Sequence, residues 1–463
     1  MKQSTDWILT APIGATLARL AAPNVVAMVF MFATSMAEAW YVGHLGTPAL
    51  AGLALAFPMF MLTTMLSAGA VGGAIAGAVA QRLGGGDREG AETLAFHAIL
   101  VAVFLAAASA ALFIGAGRPI YVVLGGTGAA LEQALAYSDM FFAGCVAVWL
   151  SNSLSSIIRA TGRMRIAATA MMTAASIQVV VSGLLVFGIG PLPVLGIAGA
   201  AIGAVVGYGI AALFQIVYLA KACPEITLRA HGQTIAFRHF ASLLRVGLLA
   251  SISPLSSIAT VVVTTGLVSR LGEEALAGYG IGARLEFLMI PLIFGIGAAL
   301  IMMVGGHFGA GAIARGKRIA WTGAFGAAAI TGAIGIILAL HPGLWANLFS
   351  QSEAVRAACA TYLRMVGPFY AFFGLGLALY FASQGARRVF WPVVASVLRL
   401  GVVFAGGLYL FADAAPQLEW LFALVAAAMA AYGVATAIAI RFAGWGRGHA
   451  PSPAGAPAGH RTA

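Results

Sequence analysis

Charge is what this sequence has least of. Only 8% of its 463 residues are Asp, Glu, Lys or Arg, where a soluble protein carries about 25%. Cysteine is scarce too. Cys145, Cys223 and Cys359 are scattered and odd in number, which excludes a disulfide framework and offers no metal-ligand spacing. The N-terminus has no short apolar core followed by a small-residue cleavage site, so no removable signal peptide is expected and the first helix stays. Paired-His zinc motifs and nucleophile elbows are missing, so the chain is not expected to be an enzyme. One phosphate-cradle spacing does occur, Gly311 to Lys317, but Arg318 stands where a magnesium-holding Ser or Thr belongs. It also follows an apolar helix rather than a strand, which excludes ATP hydrolysis there.

What the sequence has in excess is apolar length. Hydrophobic residues make up 61% of it, against about 45–50% in soluble proteins, and stretches of roughly 20 residues or more, each long enough to cross a bilayer, follow one another. Short polar breaks place helices at about 15–41, 48–81, 92–116, 130–157, 165–188, 195–220, 243–269, 275–306, 319–340, 355–383, 389–411 and 417–441. The expected fold is an all-α integral membrane protein of twelve transmembrane helices.

The net charge is +11, and its distribution explains it. Alternate loops carry Lys2; Arg82 and Arg88; Arg159, Arg163 and Arg165; Lys221, Arg229, Arg238 and Arg245; Arg315, Lys317 and Arg318; Arg387 and Arg388; Arg441, Arg447 and Arg461. The intervening loops carry only Arg118, Arg270 and Arg356. Eighteen against three is the positive-inside pattern and puts both termini in the cytoplasm. The excess is therefore read as orientation plus attraction to anionic membrane lipid, not nucleic-acid binding.

The sequence also repeats itself at a spacing of about 225 residues. Leu45-Gly46 and Ala49-Leu50-Ala51-Gly52 lie opposite Leu271-Gly272 and Ala275-Leu276-Ala277-Gly278. Tyr137 lies opposite Tyr362 after a one-residue slip. Two pseudo-symmetric six-helix lobes follow, residues 1–222 and 243–443, joined by a cytoplasmic connection at 223–242 and followed by a disordered tail at 444–463. An even number of helices per half makes the repeat a parallel one, as in transporters that rock two bundles about a central site. Glycines at small-x-x-x-small spacing, such as Gly73 and Gly77 or Gly199, Gly203 and Gly207, fit close helix packing. Pro291, Gly295 and Gly297 are a candidate bend in the eighth helix.

Ionisable groups inside membrane helices are costly and usually face a cavity or a partner. Three acids qualify: Glu38, Asp139 and Glu286. Pairing with Arg364 for Asp139 and with Arg284 for Glu286 is the structural alternative, although residues two apart on a helix face different ways.

Several segments together resemble the multidrug and toxic compound extrusion (MATE) family. They are Glu38-x-x-Tyr-Val-Gly-x-Leu-Gly46, Gln81 to Asp87, Arg159-Ala-Thr-Gly162, Gly196-Ile-Ala-Gly-Ala-Ala201, and Tyr279-Gly-Ile-Gly-Ala-Arg-Leu-Glu286. The resemblance implies a secondary exporter of organic, often cationic and aromatic, compounds in exchange for protons or sodium. It also implies a helix-1 acid, here Glu38 where Asp is common, facing a helix-5 pair, here Gln178 and Ser182 in place of Asn and Asp. One carboxylate remains where two are usual. Sodium favours several oxygen ligands with negative charge among them, whereas a lone desolvated Glu can carry a proton, so the expected coupling ion is the proton and no cofactor is expected. The repeat places Thr264 opposite Glu38, which confines coupling to the N-terminal lobe, with Glu286 and Asp139 as second candidates.

Met61, Phe287 and Tyr370 are candidate lining for a drug cavity, because Met and aromatic side chains adapt to varied apolar cargo. A lipid-linked oligosaccharide flippase of related architecture is the alternative, and a channel is a further one. The flippase would show more helices and a cationic cavity; a channel would need filter residues, usually in oligomer symmetry. The chain is expected to act as a monomer in a bacterial-type inner membrane, with small organic molecules and lipid as its partners.

Overall fold

The computed structural model describes residues 10–191, 193–228, 235–412, 417–442 and 445. Eleven helices among them are long and apolar enough to cross a membrane, and a bent pair makes a twelfth. In chain order these are α1 (Ile13–Gly43), α2 (Thr47–Gly84), α3 (Arg88–Gly115), α4 (Gly128–Ala143 with Cys145–Ala160), α5 (Met164–Phe187), α6 (Ile197–Lys221), α7 (Phe237–Leu271), α8 (Glu273–Gly309), α9 (Ile313–Leu340), α10 (Glu353–Gly385), α11 (Phe390–Leu410) and α12 (Leu418–Phe442). Two six-helix lobes result, α1–α6 and α7–α12. The Lys2, Arg229, Arg447 and Arg461 positions, and the tail from residue 444 apart from Trp445, lie outside the described residues.

The internal repeat is visible in the backbone. Gly46 and Gly272 open α2 and α8 with φ of 100° and 114°. Gly86 and Gly311, at 77° and 74°, turn the chain after the same two helices. After α4 and α10 come Gly162 at 83° and Arg387 at 55°. These are left-handed conformations that glycine adopts without steric cost, and Arg387 is the non-glycine exception among the described residues. Short helices, Gly117–Val123 and Gly343–Ala346, occupy the equivalent α3–α4 and α9–α10 connections; the sequence reading left both out.

α2, α4 and α10 are interrupted, and the interruption of α10 falls at Pro368. α4 bends by 53° between Ala143 and Cys145, and its counterpart α10 carries a 3-10 turn at Gly367–Phe369. α2 contains a π-helical turn at Met65–Val71. Pro291, in the candidate bend of the eighth helix, lies within a helix that runs unbroken from Glu273 to Gly309. A helix tolerates proline in a bilayer when its neighbours satisfy the freed carbonyl.

Glycine sets how closely the lobes approach. A Cβ built on Gly84 would fall 2.0 Å from the Gly306 carbonyl oxygen, and one on Gly309 would fall 1.9 Å from that of Gln81. Gln81 Nε2 donates across the boundary to the Gly385 carbonyl at 2.8 Å. These contacts lie at the ends of α2, α8 and α10 that adjoin the basic loops, so there the lobes are sealed backbone to backbone. Asp87 N-caps α3, accepting from the Gly90 amide at 2.8 Å and from Arg82 at 2.5 Å. Burial pushes its carboxyl up, but those two donors outweigh it and hold it below the usual carboxylate range. The described part of the inter-lobe connection is strapped to the N-terminal lobe. Arg163 grips Glu225 with two bonds of 2.9 and 3.0 Å, and the Thr227 amide donates to Glu92 at 2.9 Å.

Candidate functional site

Glu38 sits on α1, five residues before its last residue, Gly43, and is only 7% exposed. A glutamate so near a helix end reaches water unless neighbours cover it. Here α5 packs along α1, and α4 closes the remaining side. Gln178 on α5 donates Nε2–H to Glu38 Oε2 at 3.1 Å. Tyr137 on α4 donates its hydroxyl to Oε1 at 2.9 Å. The carboxyl group is thus held by two neutral donors, one on each oxygen.

Of the two α5 side chains expected at this acid, only Gln178 bonds to it. The Ser182 hydroxyl donates to the Ala200 carbonyl at 3.1 Å instead, clasping α5 to α6. The reason lies in α6: Gly203 has no side chain, and a Cβ there would fall 2.1 Å from Ser182 Oγ. Tyr137 was missed as a site residue. Its match to Tyr362 in the repeat was a signal, but one that marked register only. Thr264, opposite Glu38 in the repeat, is buried and donates back to the Thr260 carbonyl at 2.8 Å.

The C-terminal lobe answers with a pair. Glu286 on α8 and Arg399 on α11 meet at 2.5 Å, and both are buried. The Arg399 guanidinium also lies 5.1 Å from the centre of the Phe373 ring. Arg284 is not the partner of Glu286: it points away, over the Phe349 ring at 5.4 Å, as two residues on one helix must. Nor is Arg364 the partner of Asp139. Arg364 is exposed on α10, whereas Asp139 is half-buried on α4, beside an Arg118–Glu132 pair of 2.8 Å at the mouth of a shallow surface pocket.

The three expected lining residues part company. Met61 is half-buried on α2 and Phe287 is 42% exposed on α8. Tyr370 is wholly buried inside the C-terminal lobe, where its carbonyl accepts from Thr331 at 2.9 Å, so in this conformation it lines no open cavity.

The MatE family model matches residues 23–184 and again 250–409, one match per lobe. The FAD transporter of Shewanella oneidensis is 26% identical over 85% of this chain and 87% of its own. A probable multidrug resistance protein NorM from Thermotoga maritima is 22% identical over 83% and 82%. Among solved structures, a MOP superfamily transporter from Pyrococcus furiosus, described as having a binding pocket of reverse polarity, superposes with a TM-score of 0.87. The two are 22% identical over 96% of this chain and 98% of that one. The outward-facing conformation of a multidrug resistance MATE family transporter gives 0.84 at the same identity and coverage. A multi-pass membrane protein with two matched six-helix lobes, this chain belongs to the MATE family of transporters.

Proposed function

We propose that the chain exports organic compounds, cationic aromatics among them, in exchange for protons that enter through Glu38. The observation that carries the reading is the setting of Glu38: a buried carboxyl group whose two oxygens are met by neutral donors, Tyr137 and Gln178. A desolvated carboxylate without a cation beside it gains by taking up a proton. Both neighbours can adapt to that, since a hydroxyl rotates and an amide offers donor and acceptor alike. Sodium is served less well, because it needs several oxygen ligands and the groups aimed at this carboxylate present hydrogens. Glu286 is already neutralised by Arg399, which leaves it less suited to a coupling role.

The cytoplasmic placement of the basic loops makes the sealed ends of α2, α8 and α10 the cytoplasmic side, so this conformation is closed toward the cytoplasm. Protonation of Glu38 removes the cost of a buried charge and changes its bonds to α4 and α5, which biases the N-terminal lobe between access states. A monomer in a bacterial inner membrane, with both termini cytoplasmic, completes the reading. The relatives named as multidrug resistance proteins and as a FAD transporter support organic cargo with aromatic rings.

The test is transport of three fluorescent aromatic probes into inverted vesicles: ethidium (cationic), riboflavin (neutral) and riboflavin 5′-phosphate (anionic). Proton and sodium gradients are imposed separately. Accumulation of a probe in sodium-free buffer under a proton gradient is expected. Transport that stops without sodium and returns with it, at constant proton gradient, would overturn proton coupling.

A further inference from the structure

Arg159 lies in the last turn of the second arm of α4, beside the basic loop that follows it. An arginine there ordinarily extends its charged head to water. This one turns inward and is 3% exposed. Its Nη2 donates to Ser156 Oγ at 3.2 Å, one turn back toward the membrane interior, and its Nη1 approaches the Met171 sulfur at 3.7 Å. Its guanidinium carbon lies 5.4 Å from the centre of the Phe294 ring, which belongs to α8 of the other lobe. Among the described residues no carboxylate pairs with it. A hydroxyl, a thioether and a ring face leave a planar five-donor cation with no anionic partner, whereas Arg399, the other buried arginine among the described residues, has Glu286.

The position of Arg159 matters as much as its lack of an acid. Gln384, its counterpart 225 residues on in the repeat, is also fully buried and faces the opposite lobe. A Cβ on Gly73 of α2 would fall 1.5 Å from Gln384 Oε1, and one on the adjacent Gly72 would fall 2.6 Å from Ser156 Oγ. Thus α2 packs on Gln384 and on the Ser156 that accepts from Arg159, and the lobe boundary covers both polar groups. When the lobes part at this end, Phe294 leaves with α8 and the guanidinium faces the opened space.

We propose that Arg159 is an anion-binding residue of the cargo path: it takes a phosphate or carboxylate group of an aromatic cargo once α8 withdraws. The planar fork of arginine fits such groups through two parallel bonds. The proposal rests on the transport reading above and extends its cargo from organic cations to organic anions. An unpaired buried cation is otherwise a standing cost. In the sealed state the Phe294 ring face covers it in place of an anion.

Riboflavin and riboflavin 5′-phosphate share a ring system and differ by the phosphate, so the vesicle assay reads the site directly. Arg159→Gln is expected to lower transport of the phosphate form at sub-saturating concentration by about tenfold or more. Riboflavin and ethidium should stay within about twofold, and Arg159→Lys should keep part of the phosphate preference. Equal losses for all three probes would assign Arg159 a structural role and overturn the proposal. So would an unchanged phosphate preference in Arg159→Gln, or a loss that follows the anionic-lipid content of the vesicles, which would point to a lipid headgroup. If Arg159→Gln fails to reach the membrane, Arg159→Lys alone decides, because the ratio of phosphate form to riboflavin must fall. Wild-type transport of riboflavin or ethidium but not of the phosphate form overturns this proposal and leaves the transport reading standing. Transport of none of the three overturns both.

Discussion

Replacing Glu38 by Gln imitates its protonated state with little change of shape, and the structure sets what that should cost. Both carboxyl oxygens accept a hydrogen bond, from Tyr137 at 2.9 Å and from Gln178 at 3.1 Å. A bond to a charged acceptor contributes about 1.5–3 kcal/mol and a neutral one about 0.5–1.5, so each loses about 1–1.5 kcal/mol when the charge goes. The two together amount to about 2–3 kcal/mol, a factor of roughly 30–150 in the equilibrium they bias. Folding should survive, because the Tyr137 hydroxyl can turn and the Gln178 amide can exchange donor for acceptor. Glu38→Gln is therefore expected to reach the membrane at wild-type level, to bind cargo, and to lose at least about tenfold in proton-driven efflux. Glu38→Asp keeps the charge and should retain part of the activity. The assay is probe accumulation in inverted vesicles at matched expression, with thermal unfolding in detergent as the folding control. A solvated glutamate at a helix end would tolerate Gln. Proton-dependent efflux by Glu38→Gln at near wild-type rate would refute the reasoning and move the coupling role to Glu286 or Asp139.

Three further outcomes are expected. Tyr137→Phe leaves one carboxylate oxygen without its donor in a buried site, so efflux should fall several-fold and stability by about 1–3 kcal/mol, read by transport and thermal unfolding; no change in either would remove Tyr137 from the site. Glu286→Gln strands the Arg399 charge and should destabilise the C-terminal lobe by about 3–5 kcal/mol, whereas adding Arg399→Met should recover most of it; thermal unfolding of the single and double variants checks this, and a double variant no better than the single counts against the pair. At the lobe seal, Gly84→Ala drives a Cβ to 2.0 Å from the Gly306 carbonyl oxygen, whereas nothing lies within 4 Å of a Cβ on Gly306. Gly84→Ala should thus increase thiol labelling of cysteines introduced beside the seal from the basic-loop side, and Gly306→Ala should not; equal labelling of the two would contradict the close approach.

Much of this architecture was legible in the chain itself. Helices had to form because a bilayer leaves a backbone no other partner for its amides and carbonyls, and the apolar runs set their number and length. The recurrence of Leu-Gly and Tyr at about 225 residues set two lobes, which the paired turns at Gly46 and Gly272 and at Gly86 and Gly311 repeat in the backbone. Glu38 stood out because an acid in an apolar run needs a reason, and Gln178 because the resemblance to the MATE family places a polar helix-5 pair opposite that acid. Which neighbours meet an acid was decided only in three dimensions. Tyr137 reaches Glu38 from 99 residues away, and Arg399 reaches Glu286 from 113. Ser182 turned to the α6 backbone because a glycine there brought Ala200 within reach. The inward turn of Arg159 was equally hidden, since in sequence it is one more basic residue at a helix end. Periodicity and composition report what each helix is made of; a side chain's partner depends on how helices from distant segments rotate and pack, and that is settled by the shapes of all of them together.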